Sequence, residues 1–94
     1  ATFSTITGTG PAGVYKWAGG VLAKNGKIYG IPYVSTSVLI IDPATGTADN
    51  TTITGLEGAN KWLGGVLAHN GKIYGIPNSA TSVLIIGCTV IRGL

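Results

Sequence analysis

The segment Lys16–Ile41, KWAGGVLAKNGKIYGIPYVSTSVLII, returns 45 residues later as Lys61–Ile86, KWLGGVLAHNGKIYGIPNSATSVLII, with 21 of 26 positions identical. A period of this size, filled with short β-type runs and turn signals, marks one supersecondary unit used more than once. Such a unit buries its apolar faces only against stacked neighbours, commonly three or more. With two copies in hand, the sequence predicts a molecule that completes itself by binding further copies.

The other supports open to a 94-residue domain are missing. Small folds lean on disulfides, metals or oligomerisation. Cys88 is the single cysteine and His69 the single histidine, which leaves oligomerisation. The sequence is 45% hydrophobic and 10% charged, yet its longest aliphatic runs, Val38–Ile41 and Val83–Ile86, are four residues each. A membrane-spanning helix needs roughly 20, so no membrane partner is expected. No cationic, apolar leader pattern stands at the N-terminus, and the localisation is left open. The net charge of +3 comes from lysines placed singly at equivalent repeat positions, with no polybasic cluster. No nucleic-acid partner is expected from that pattern.

Each copy reads as strands. Gly19–Ala23 is small and apolar, and Asn25-Gly26 is a strong hairpin signal, expected as a type I′ turn with positive φ at both residues. Lys27–Ile31 is the partner strand, and Pro32, which donates no ladder hydrogen bond, ends it. After the polar Ser35–Ser37 comes Val38–Ile41, then the Asp42-Pro43 turn, and then Asn50–Gly55 as a fourth, more polar strand. Neither VLII nor GGVLA alternates apolar with polar residues, which predicts inner strands covered on both faces.

Ala1–Gly8, ATFSTITG, matches Ala48–Gly55, ADNTTITG. The expected order is therefore an outer strand followed by three inner ones, twice. This leaves Val83, Leu84, Ile85 and Ile86 as an uncovered edge. Thr2, Phe3, Ser4, Thr5, Ile6 and Thr7 form a strand without a sheet. The two are expected to meet between chains, head to tail, and such contacts close into rings when the rotation permits.

The run GGVLAxNGKIYGIP followed by SVLIIDP resembles the blades of β-propeller repeat proteins, and the resemblance covers nearly the whole chain. It lacks the glycine–histidine and tryptophan–aspartate marks of WD40 repeats. The resemblance implies an all-β fold of four-stranded antiparallel meanders, two per chain, completed by oligomerisation. The repeats divide at about residues 1–47 and 48–94. It further implies a homotetramer with eight blades, with a six-bladed homotrimer as the second choice. The departure is Gly87–Ile91, which replaces the Asp42–Gly46 turn.

No catalytic constellation is present. Gly8–Gly13 fits GxGxxG but contains Pro11 and no helical pattern follows it, so a loop is expected rather than a dinucleotide site. Gly20 to Lys27 has the wrong spacing for a phosphate-binding loop. Cys88 lacks a partner at ligand or nucleophile spacing, and His69 stands beside a turn. Asp42, Asp49 and Glu57 do not recur as a carboxylate pair, and Asn50–Thr52 reads as a sequon within strand sequence. No cofactor or metal is expected, and no enzymatic role. Lys16-Trp17 and Lys61-Trp62 recur at the entrance to the innermost strand, where a ring would display a circle of both. They are the candidate ligand-binding residues of a lectin-like alternative. The competing reading is an indole wedged between blades with its N–H on a backbone acceptor.

Overall fold

Among the described residues, seven strands, in chain order, make two antiparallel sheets. The computed structural model describes residues 16–58 and 60–87, and among them there is no helix. The first sheet is β1 (Trp17–Leu22), β2 (Ile28–Pro32), β3 (Leu39–Asp42) and β4 (Thr47–Asp49), in that order. The second is β5 (Trp62–Leu67), β6 (Lys72–Pro77) and β7 (Leu84–Gly87). Among the described residues, no helix is long and apolar enough to cross a membrane.

The Asn-Gly turns depart from expectation in an instructive way. Only Gly26 has positive φ, +85°, and Asn25 does not. The Gly26 N–H donates to the Ala23 carbonyl at 3.1 Å and the Ala23 N–H to the Lys27 carbonyl at 2.9 Å. This is a three-residue loop with a left-handed glycine at its end, not a two-residue type I′ turn. The Asn25 side chain stabilises it from both ends: Oδ1 accepts the Lys27 N–H at 2.9 Å, and Nδ2 donates to the Tyr29 hydroxyl at 2.9 Å. Asn70 and Tyr74 repeat the arrangement in the second sheet.

The fourth strand also lies elsewhere than expected. The Gly46 N–H donates to the Asp42 carbonyl at 2.8 Å, and Gly46 takes φ +67°. The chain thereby turns straight back, so that Thr47 pairs with Asp42 and Asp49 with Ile40. Asp49 then ends the strand. Its carboxylate accepts the Thr51 N–H at 2.8 Å together with the Thr51 and Thr52 hydroxyls, drawing residues 50–53 into a bend. Asn50–Gly55 is therefore loop rather than strand. The expected outer strand at Ala1–Gly8 lies outside the described residues, as do Gly8–Gly13 and Cys88.

Registers fix which residues share a face. Val21 pairs with Tyr29, which pairs with Ile40, and Ile31 follows on the same side. In the second sheet Leu67 pairs with Ile73, which pairs with Ile86, and Gly75 pairs with Leu84 one step along the same face. These two faces pack on each other and form the core, with Ile31 and Ile73 fully enclosed. Glycines let the sheets approach. A Cβ on Gly65 would lie 3.0 Å from Ile31 Cδ1, so that strand accepts no larger residue there without movement.

β1 and β5 each carry a β-bulge: in the first, Trp17 pairs with Pro32 and Gly20 with Gly30, leaving two residues opposite one. Gly19 at φ +78° and Gly64 at +74° supply the left-handed residue in each copy.

Candidate functional site: the seam and the two open faces

The join between the repeats is built from main-chain groups. Two bonds hold the segment after β4 against the loop before β3: Val38 N–H to Ile53 O at 3.0 Å, and Leu56 N–H to Thr36 O at 2.9 Å. Asn60, at φ +54°, then turns the chain, and the Lys61 N–H donates to Tyr33 O at 2.9 Å. Asn60 is the only non-glycine with positive φ among the described residues.

Lys61 is 2% exposed. Its ammonium donates to the carbonyls of Gly58 at 2.8 Å, Val34 at 3.3 Å and Tyr33 at 3.4 Å. An ammonium has three protons and no acceptor capacity, so three carbonyls match it fully. Burial pushes its pKa below the ordinary lysine value, and the nearby Glu57 charge opposes that shift.

The four residues singled out in the sequence are not equivalent pairs in space. Lys61 fills the carbonyl cage, whereas Lys16 lies over the Trp17 ring, 5.2 Å from its centroid. Both indoles are anchored within their own repeats. Trp17 Nε1 donates to Ser37 O and Trp62 Nε1 to Ser82 O, each at 2.8 Å. Trp62 is buried and Trp17 half-buried. Beside Lys61 and Trp62 lies an open cleft of about 290 Å³, bordered by Glu57, Ser79, Thr81 and Ser82. A second cleft, about 410 Å³, lies between the sheets near their outer strands and includes Lys27, Asp42, Asp49 and Ile86. Among the described residues, no group of histidine, cysteine and acidic side chains has the makings of a metal site.

The larger feature is a pair of apolar faces. The side of the second sheet turned away from the core carries Val66, Tyr74, Ile76 and Ile85, the counterparts of Val21, Tyr29, Ile31 and Ile40. Val21 is 8% exposed and Val66 58%; Ile31 is 0% exposed and Ile76 49%. The outward side of the first sheet carries Leu22, Ile28 and Ile41, the counterparts of the half-buried Leu67 and the buried Ile73 and Ile86. Of the five differences between the copies (residues 18/63, 24/69, 33/78, 34/79 and 35/80), none falls on these face positions.

Sequence reasoning identified the non-alternating runs but not which face of each sheet would be open. Nor did it find the cage at Tyr33, Val34 and Gly58, because backbone acceptors leave no side-chain signature. Of the predicted closing edge, Leu84–Gly87 forms β7, an edge of its sheet among the described residues, with Val83 just before it. Its expected partner, Thr2–Thr7, lies outside the described residues.

No protein-family model, curated protein or solved structure matches this chain.

Proposed function

We propose that this chain is a structural, self-assembling β-propeller segment whose copies stack head to tail into a closed ring, without catalysis. One observation carries the reading: each open face repeats, residue for residue, one of the two faces that pack together inside the chain. The interface inside the chain joins the Val21/Tyr29/Ile31/Ile40 face to the Leu67/Ile73/Ile86 face. The open Val66/Tyr74/Ile76/Ile85 face of one copy fits the open Leu22/Ile28/Ile41 face of the next in the same way. Apolar patches of this kind mark association surfaces. The contact is heterologous, so it propagates around a ring rather than stopping at a symmetric pair. Propellers are built from four-stranded sheets packed in this fashion, and an eight-bladed homotetramer is favoured over a six-bladed trimer.

The inter-chain strand exchange expected from the sequence, between Thr2–Thr7 of one copy and the Val83–Ile86 edge of the copy before it, belongs to the same proposal. Light scattering across protein concentration tests the ring. A mass of four chains, or three, is expected at micromolar concentration; a single-chain mass throughout overturns it.

A lectin-like reading draws on the cleft beside Lys61 and Trp62. It is the weaker of the two, because the Trp62 indole is buried and its N–H is already engaged with Ser82. A thermal-shift screen against monosaccharides separates them, since a ligand bound by the native state raises its apparent stability.

A further inference from the structure

We propose that Lys16 of one copy inserts its ammonium among the Asn78 and Ser79 loop carbonyls of the copy before it, reproducing between chains the Lys61 contact found within the chain. The inference rests on the ring reading and specifies its junction.

The argument begins with the loop that receives Lys61. Tyr33 and Val34 present their carbonyls because their loop is tied back to the start of its own repeat. Tyr33 N–H and Ser35 N–H both donate to Lys16 O, at 3.0 and 3.1 Å. The counterpart loop is tied identically: Asn78 N–H and Ala80 N–H both donate to Lys61 O, at 2.8 and 3.2 Å. Its side chains differ, but the main-chain course is set by the same pair of bonds. Asn78 and Ser79 are exposed, so the loop is open to an incoming copy.

The incoming group is matched as well. Gly58 stands three residues before Lys61 and accepts its ammonium, and Gly13 stands three residues before Lys16. Sheet-on-sheet stacking with the internal geometry places Lys16 of the following copy where Lys61 sits relative to Tyr33. The position of Lys16 over Trp17 does not oppose this. A cation–π contact at a partly exposed ring is weaker than a set of charge-assisted hydrogen bonds in a buried site. Within the chain the covered cage leaves Lys61 only 2% exposed, with all three ammonium protons on carbonyls.

The test is an amine footprint on the unaltered protein, read by mass spectrometry after brief acetylation below and above the concentration at which light scattering shows assembly. Lys24, exposed at a hairpin tip, is the internal reference. Lys61 is expected to be protected under both conditions. Lys16, measured relative to Lys24, is expected to react at least about tenfold more slowly once assembled than when dilute. A K16M variant should raise the concentration needed for assembly by about tenfold or more, the loss of one charge-assisted contact per junction. Assembly that leaves the Lys16 rate relative to Lys24 unchanged, or K16M assembling like the parent, overturns this inference and leaves the ring intact. A single-chain mass at all concentrations overturns the ring itself.

Discussion

Val21 and Val66, or Ile31 and Ile76, are the same residue in the same repeat position, yet one of each pair is buried and the other is half-exposed. The first sheet covers its Val/Tyr/Ile side with the second sheet, and the second sheet has only its opposite side covered. Burial here is a property of place in the stack and not of the repeat sequence. The lesson is that a repeat encodes two complementary surfaces at once, and a neighbour decides which of them enters a core.

The sharpest way to break this comparison is to truncate paired residues. Ile31→Ala should cost about 2–5 kcal/mol in urea unfolding, as expected for a fully enclosed isoleucine. Ile76→Ala, measured where the chain is dilute and single, should cost less than about 1 kcal/mol, in keeping with a surface position. Equal losses under those conditions would show that both faces are covered already. At higher concentration Ile76→Ala should instead impair assembly.

A smaller effect is expected at the bulges. Gly64→Ala forces a side chain into left-handed backbone, at about 1–2 kcal/mol. Gly19→Ala carries the same strain and also drives its Cβ to 3.2 Å from Gly64 Cα, so its loss should exceed that of Gly64→Ala. Thermal melts of the two variants check the order. A reversed order would mean that the strands do not approach as described.

The smallest difference concerns acid. The Thr52 hydroxyl, with the Thr51 hydroxyl and N–H, lowers the Asp49 pKa from 3.8 to about 2. The ionised form is the one favoured by folding, so its contribution is complete above about pH 4 and is lost as pH falls through about 2. The second repeat has Leu94 at the corresponding position and no carboxylate to titrate. Asp49→Asn should flatten the fall of melting temperature between pH 4 and 2. An unchanged acid limb would remove Asp49 from the account.

Much of the architecture was legible in the residues. Non-alternating VLII runs, the Asn-Gly and Asp-Pro punctuation and the 45-residue period point to antiparallel sheets in tandem. What stayed hidden was decided by hydrogen bonds that residue type alone does not announce. The Asn25 amide could have tolerated positive φ, but its side chain bonds Lys27 N–H and Tyr29, which selects a longer loop. The TTIT run has strand propensity, yet the Asp49 carboxylate captures its first hydroxyls and bends it away. The Lys/Trp pair was visible as a recurring motif. That one lysine is caged while the other lies over an indole depends on which repeat stands before it.

The carbonyl cage has a consequence for how such a protein can change over time. Three of the five differences between the copies fall in the loop that supplies the cage: Tyr33/Asn78, Val34/Ser79 and Ser35/Ala80. A socket made of peptide oxygens does not register which side chains its residues carry. The loop is therefore free to drift, or to be redesigned, without loosening the joint it forms. New recognition chemistry can be written onto that rim, one repeat at a time, while the scaffold beneath it stays the same.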